Sequence, residues 1–529
     1  MSNAAKSTTR ALPWSGSETW AAVALFLGTV LSRIPFRSHI LYHWDSVNFA
    51  FAMQHFDVAA EQPQPPGYIV YVWLCRLVDL LFHDPQTTMV WISMVSSGLA
   101  VVVMYLLGRA MFDQQTGLVG ALFLATSPLF WFYGEIALPH ALDTFLAILS
   151  AWLLWEVMQG RAWAAVPAAV SLAVAGGVRQ QTPVFLGLAA LAAAVGFLRR
   201  VGWVRGLRWG GVAIAVFGLL CAAWFFPLIN SAGGLDGYLQ VMGDFSTRFN
   251  ATTSLFMGAG NFGLIRNLRK LSMYTAFGWS VALVPLVLYV LWRVWQRRLK
   301  VRWERGLFLL AWVLPSLFFY TIIHMGQQGL VFVFLPALLL VSALATVRLL
   351  EGRGQRALAA GITALVLLNA ALFIALPEYP LGGERIKVLS WDTLRNNDAY
   401  YQERFAAIRE HFPAESTAIL TANWRHVEYY LPEYVRLPFG VGAKWEKEEG
   451  NPQIAPQEVV VTPVALGFQL DRQGQGAIVI FDSYLMTFSK NPTPAHELPL
   501  KHGGTLEYFV LAVDQTFHYG AGSFGIRDY

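Results

Sequence analysis

Along the first two-thirds of the chain, apolar residues come in runs of about twenty, the length a helix needs to cross the ~30 Å hydrocarbon layer of a bilayer. The runs cover residues 20–36, 87–107, 118–133, 141–158, 162–178, 184–198, 211–228, 274–292, 307–323, 330–350 and 357–376. They predict a polytopic α-helical membrane protein with about eleven spans. No small-residue cleavage site follows the first run, so it reads as a span and not as a cleavable signal.

The stretch 67–82 is also apolar, but it carries Arg76 and Asp79 and is rich in aromatics. If it lies flat on the membrane, Lys6, Arg10, Arg109, Arg161, the Arg199–Arg208 loop, the Arg293–Arg305 loop, Arg348, Arg353 and Arg356 all fall on one side, as the positive-inside rule asks. If it spans, the N-terminus is parted from every later basic loop. The stretch therefore predicts an interfacial helix in the first outer loop. That topology sends 37–82, 135–140, 179–183, 229–273 and 324–328 to the outer face.

After Leu376 the hydrophobicity drops, and Pro377, Pro380, Gly382 and Gly383 mark a linker. Residues 1–376 thus read as a membrane domain and 377–529 as a small extracytoplasmic α/β domain. Within the latter, 417–421, 434–437, 477–481 and 505–513 read as strands, with helical pieces at 400–410 and 425–430.

Composition strengthens the membrane reading: of 529 residues 56% are apolar and 13% charged, against about 25% charged in soluble domains. The net charge of +5 is spread over loops with no dense basic stripe, so it speaks for membrane orientation and against a nucleic-acid partner. Cys75 and Cys221 both sit in apolar runs and give neither a disulfide framework nor a zinc spacing. No Gly-x-x-x-x-Gly-Lys loop is present, which removes support for a nucleotide-driven mechanism.

The polar residues that interrupt this pattern gather on the outer side. His43-Trp44-Asp45-Ser46 opens an amphipathic stretch, and Gln62-Pro63-Gln64-Pro65-Pro66-Gly67-Tyr68 forms a strap that its prolines restrict. Asp45 is placed to cap the helix that follows it. Together with Ser127-Pro128-Leu129-Phe130-Trp131-Phe132-Tyr133-Gly134-Glu135, Leu142-Asp143-Thr144-Phe145 and His324-Met325-Gly326-Gln327-Gln328-Gly329, these segments resemble the GT-C glycosyltransferases. The nearest branches are the aminoarabinose-to-lipid A transferases, the protein O-mannosyltransferases and uncharacterised bacterial relatives. Ser46 stands where the aminoarabinose branch has a glutamate, and its lysine near the strap has no counterpart here.

The resemblance implies a multi-helix membrane body and an outward-facing site that takes a sugar from a polyprenyl-phosphate carrier. The acceptor would be a lipid, a glycan or a protein. It implies that Asp45, beside Trp44 and the strap residues Gln64, Pro66 and Tyr68, acts as the base of an inverting transfer. Glu135 and Asp143 become candidates to bind sugar hydroxyls, to orient the acceptor or, with Asp45, to hold a divalent cation such as Mg or Mn. For Asp143 the competing reading is a helix-end cap.

Arg179, next to Gln180 at an outer helix end, suits a phosphate through its guanidinium fork, or else anchors lipid headgroups. His324 and Gln327 are candidate donors to the same phosphate or to the sugar. Arg248, Arg266, Arg269 and Lys270 make the long outer loop basic, which fits an anionic carrier. A flippase of lipid-linked sugar is the alternative, but it would need polar residues near mid-membrane. A sensor or scaffold would leave the one-sided cluster of Asp45, Glu135, Asp143 and Arg179 unexplained.

Overall fold

The computed structural model describes residues 16–297, 303–379, 387–438, 443–446, 453–456, 475–489, 491, 494–512, 515–519 and 522–525. Arg298, Pro380, Gly382 and Gly383 lie outside them, as do Lys6 and Arg10.

The membrane body is helical: α1 Gly16–Arg33, α2 Trp44–Gln54, α3 Ile69–Phe82, α4 Pro85–Met111, α5 Gln114–Thr126, α6 Pro128–Tyr133, α7 His140–Met158, α8 Ala165–Val178, α9 Gln181–Phe185 and α10 Gly187–Val201. It continues through α11 Trp203–Ser231, α12 Leu235–Asn250, α13 Gly260–Trp279, α14 Leu283–Trp295, α15 Trp303–Ile322, α16 Leu335–Leu350 and α17 Gln355–Ala375. Among the described residues, seven helical stretches are long and apolar enough to cross a membrane, and 162–178 and 335–350 are shorter apolar helices.

The expected spans over 118–133 and 184–198 are each broken. Pro128 has no N–H and pushes Ser127 out of the helical region, to ψ 120°, so α5 stops and α6 restarts. The second break, at Leu186, divides α9 from α10. The 274–292 run begins inside α13 and continues through a 3₁₀ turn, Ser280–Ala282, into α14. Helix α3, with 14 residues, is about 21 Å long and too short to span. It buries Tyr71, Val72 and Cys75 and leaves Leu77, Leu80 and Leu81 exposed.

One rim of the body holds several of the short elements. His43, not Asp45, caps α2: its ring accepts from the Asp45 N–H (3.1 Å), while the Ser46 hydroxyl accepts from the His43 N–H (3.4 Å). Arg179 adopts an extended conformation that ends α8, with only Gln180 between it and the next helix, which begins at Gln181. Pro183 falls in the first turn of α9, where a missing N–H costs nothing.

The C-terminal region contributes α18 Trp391–His411, α19 Trp424–Tyr430 and nine strands: β1 Thr417–Thr421, β2 Val435–Pro438, β3 Ala443–Glu446, β4 Gln453–Pro456, β5 Gln475–Ile480, β6 His496–Pro499, β7 Thr505–Ala512, β8 Thr516–Tyr519 and β9 Gly522–Gly525. A five-stranded sheet runs β2-β1-β5-β7-β6. Its β2, β1 and β5 are parallel, with Ala418 opposite Val435 and Ile478, and β7 and β6 are added antiparallel. Alternation along β5 sends Ile478 and Ile480 into one core and Val479 into the other, where Tyr401, Phe405 and Ile408 of α18 pack. The strand pairs β3–β4 and β8–β9 stand apart from this sheet.

Candidate functional site

One rim of the helical body draws its polar side chains from several separate stretches of chain. The carboxylate of Asp45, in the first turn of α2, accepts a hydrogen bond from the Gln327 side-chain amide (2.5 Å) and lies 3.5 Å from His43 Nδ1. Its side chain remains 22% exposed. Nothing ties it to the helix backbone, so the capping role expected of Asp45 belongs to His43.

Asp143, in the first turn of α7, is enclosed instead. One oxygen accepts from the Thr182 hydroxyl (2.5 Å) and the other faces Arg179 Nη1 at 3.4 Å. The other arm of the Arg179 fork reaches the Tyr320 hydroxyl at 3.2 Å. Arg179 is 8% exposed and Asp143 3%, so the cation is ion-paired inside the body and not laid out among lipid headgroups. Because Arg179 is the hinge between α8 and α9, its side chain is fixed at both its backbone and its tip.

In the strap, Tyr68 takes the left-handed region at the start of α3, and burial pushes its hydroxyl up to about 12, with smaller electrostatic contributions from Arg179, Asp45 and Asp143. Gln64 is buried. The Pro66 carbonyl accepts from the Tyr238 hydroxyl (3.1 Å) and from Gln180 Nε2 (3.3 Å), and Gln180 also donates to Tyr238 (3.0 Å). Gln180 therefore pins the strap to α12 and does not point at a free phosphate position.

His324 sits half-buried against Thr253 (3.1 Å), and burial together with the cations Arg266, Lys270 and Arg179 pushes its imidazole down to about 4. A neutral imidazole is thus the neighbour of three positive charges. Gly329, four residues after Met325, touches α7 so closely that a Cβ there would stand 2.3 Å from the His140 ring and 2.7 Å from Tyr133. Only glycine lets the 324–328 turn, and with it Gln327, approach this near.

Glu135 lies elsewhere. It is fully buried between α6 and α7, its charge partner is Arg33 at the end of α1, and the Arg33 guanidinium stacks 4.4 Å from the Trp131 ring. Burial outweighs Arg33 and raises the Glu135 carboxyl well above its usual range. No described hydrogen bond or ion pair links it to Asp45, Asp143 or Arg179.

Below Gln180, between α8, α9 and α11, a groove of about 330 Å³ is lined by Gln180, Pro183, Phe217, Cys221, Trp224 and Phe226. It is apolar apart from Gln180. Among the described residues, no three His, Cys, Asp or Glu side chains converge on one point. Asp143 has both oxygens engaged and Asp45 stands apart from it, so this donor set does not fit a divalent cation cage.

Sequence reasoning missed Tyr320, Thr182 and Tyr238, which hold Arg179, Asp143 and Gln180. Each is a lone hydroxyl, Tyr320 within an apolar run, a weak signal that only the side chains it contacts make legible.

Over residues 63–225 the chain matches the family described as dolichyl-phosphate-mannose-protein mannosyltransferase. Its fold is similar to that of ArnT from Cupriavidus metallidurans in the apo state, at 13% identity and a TM-score of 0.54, with 94% of this chain aligned to 98% of that one. The same enzyme bound to undecaprenyl phosphate gives 12% identity and a TM-score of 0.55 over the same shares. No curated protein gives a significant match. The family match covers residues 63–225, and the likeness in fold extends over nearly the whole chain.

Proposed function

We propose that this GT-C glycosyltransferase moves a sugar, with inversion, from a polyprenyl-phosphate carrier to a lipid, glycan or protein acceptor on the outer face of the cytoplasmic membrane. The observation that carries the reading is one rim that holds a partly open carboxylate, Asp45, on the Gln327 amide, and a buried guanidinium, Arg179, paired with Asp143. Carboxylate and cations are the two groups that a phosphate-leaving transfer requires at its opposite ends.

In that reaction the acceptor hydroxyl or amine attacks the anomeric carbon as its proton passes to Asp45. The bond from that carbon to the phosphate oxygen breaks, and the electron pair leaves on the phosphate. Arg179 already carries its charge in a dry setting, so it stabilises the departing phosphate without reorganising. Gln327 holds the Asp45 carboxylate in one rotamer while leaving its second oxygen open. The groove beside Gln180 suits the first isoprene units of a carrier chain. No step is routed through a metal ion.

A flippase would instead need charges at mid-membrane, and the charged pairs buried elsewhere in the body, Glu18–Arg109 and Glu156–Arg161, belong to helix ends. Orientation rests on the basic loops: a cysteine at Gln355 should react with an impermeant reagent only from the cytoplasmic side, and labelling from outside intact cells would reverse the topology.

Carrier binding has a native probe. Cys75 is buried and Cys221 is half-buried in the groove, so alkylation of the purified protein reads Cys221. Undecaprenyl phosphate should protect it at concentrations where undecaprenol does not. Equal protection by both lipids would remove the phosphate from the reading.

A further inference from the structure

The first outer loop does not hold its shape through the membrane body alone. The N–H of Leu41 donates to the Tyr430 hydroxyl (2.9 Å), and the Leu41 carbonyl accepts from His426 Nε2 (2.8 Å). Both backbone groups of a residue two positions before the α2 cap thus end on side chains of α19 in the C-terminal domain. A buried backbone pair has to be satisfied somewhere, so this segment is not complete without the domain.

Other contacts extend the same seam. Asp398 of α18 accepts from the Ser38 hydroxyl (2.8 Å) and the His39 N–H (2.6 Å). Ile40, 6% exposed, belongs to the same apolar cluster as Tyr401, Phe405 and Val479. Arg425 donates to the Ala60 carbonyl at 2.8 Å, at the far end of the loop. Trp424 meets Trp44, the residue before Asp45, edge to face at 5.1 Å.

Helix α19 is itself anchored. Asp482, 1% exposed at the end of β5, accepts from Tyr400 (3.0 Å), Thr421 (3.1 Å), the N–H groups of Ala422 (2.8 Å) and Asn423 (3.2 Å), and the Asn423 amide (2.6 Å). These donors fix the turn from which α19 starts. A rigid connection therefore runs from the sheet through Asp482 and α19 to Trp44.

We propose that α19 is a positioning element of the active site: Trp424 and His426 hold the 38–60 loop in the register that sets Asp45 against Gln327. The domain is then part of the catalytic assembly and not an appended acceptor-binding module. This inference rests on the reading of Asp45 as the base, but its local consequence does not.

The test uses the full-length protein in detergent, with Trp424→Ala and His426→Ala compared with Trp424→Phe, which keeps an edge-on ring. Backbone hydrogen–deuterium exchange over 38–60 should quicken about tenfold in the alanine variants while α4 and β5 stay protected. Turnover, read as release of undecaprenyl phosphate from a panel of undecaprenyl-phosphate-linked sugars with an envelope extract as acceptor, should lose about 10²-fold in kcat, as misplacement by an ångström costs. Protection of Cys221 by undecaprenyl phosphate should not change, and Trp424→Phe should restore most of both losses.

Unchanged exchange over 38–60, or quickened exchange with unchanged kcat, would overturn the proposal. If the alanine variants lose the folded state, Trp424→Leu, which keeps apolar bulk without the ring, decides by the same two readouts. Failure of the base assignment looks different: Asp45→Asn then transfers sugar normally while the exchange result for Trp424→Ala still stands.

Discussion

Asp45 and Asp143 are carboxylates of one rim held in opposite ways. Asp143 is 3% exposed and engages both oxygens, with Thr182 and Arg179. Asp45 keeps 22% of its side chain open and has Gln327 as its side-chain donor. A carboxylate with both oxygens already engaged in a closed pocket has none free for a substrate proton but is a good counter-charge, because it keeps a buried guanidinium ionised and aimed. A carboxylate with an open oxygen can take a proton as a bond forms. On the proposed reading, this difference gives holding to Asp143 and proton transfer to Asp45, a division that adjacent sequence alone does not distinguish.

The largest effect that tests this division is on stability. Asp143→Ala leaves Arg179 buried without its carboxylate, and losing one partner of a buried pair costs roughly 3–5 kcal/mol. Thermal unfolding in detergent should show a marked drop in Tm. A variant as stable as the parent would mean that Arg179 does not depend on Asp143.

Asp45→Asn comes next. The half-exposed side chain contributes no helix cap, so Tm should barely move, whereas turnover should fall at least ~10²-fold, as when a positioned base is lost. Carrier binding, read by Cys221 protection, should persist. Arg179→Lys gives a smaller loss: a point charge replaces the planar fork, and carrier affinity should weaken by about tenfold, or ~1.4 kcal/mol. Equal affinity in Arg179→Lys and Arg179→Ala would show that the fork geometry is idle.

The smallest effect is on pH dependence. Burial and the neighbouring cations hold His324 at about 4, below the ~6.5 of an unfolded histidine. The unfolded chain therefore binds the extra proton first. Stability is full above about pH 6.5 and is lost as pH falls toward 4. His324→Gln should flatten the Tm profile across that window, and an unchanged profile would place the acid sensitivity in another group.

Much of the body was legible because spans announce themselves by continuous apolar length. The breaks at Ser127 and Leu186 were not, since a proline or a single non-helical residue barely alters a hydrophobic run. Arg179 was visible as a lone cation beside two glutamines, yet its ion pair with Asp143, 36 positions away, depends on how α7 packs against α8. Glu135 shows the opposite limit: an acid at an aromatic helix end reads alike whether it faces the rim or Arg33.

In the C-terminal domain the strands at 417–421 and 505–512 show in their β-branched and aromatic content, and the helix over 425–430 was also legible. The partnership of Leu41 with His426 and Tyr430 was not, because contacts across nearly 400 residues leave no local pattern.

One measurement bears most directly on the division between the holding end and the open acid: a density map of the full-length protein with undecaprenyl phosphate bound. The account predicts the phosphate within hydrogen-bond reach, ~3 Å, of Arg179, facing Asp45 across Tyr68, with the isoprene chain leaving past Trp224 and Cys221. A phosphate seated away from Arg179, with the chain absent from that groove, would contradict it.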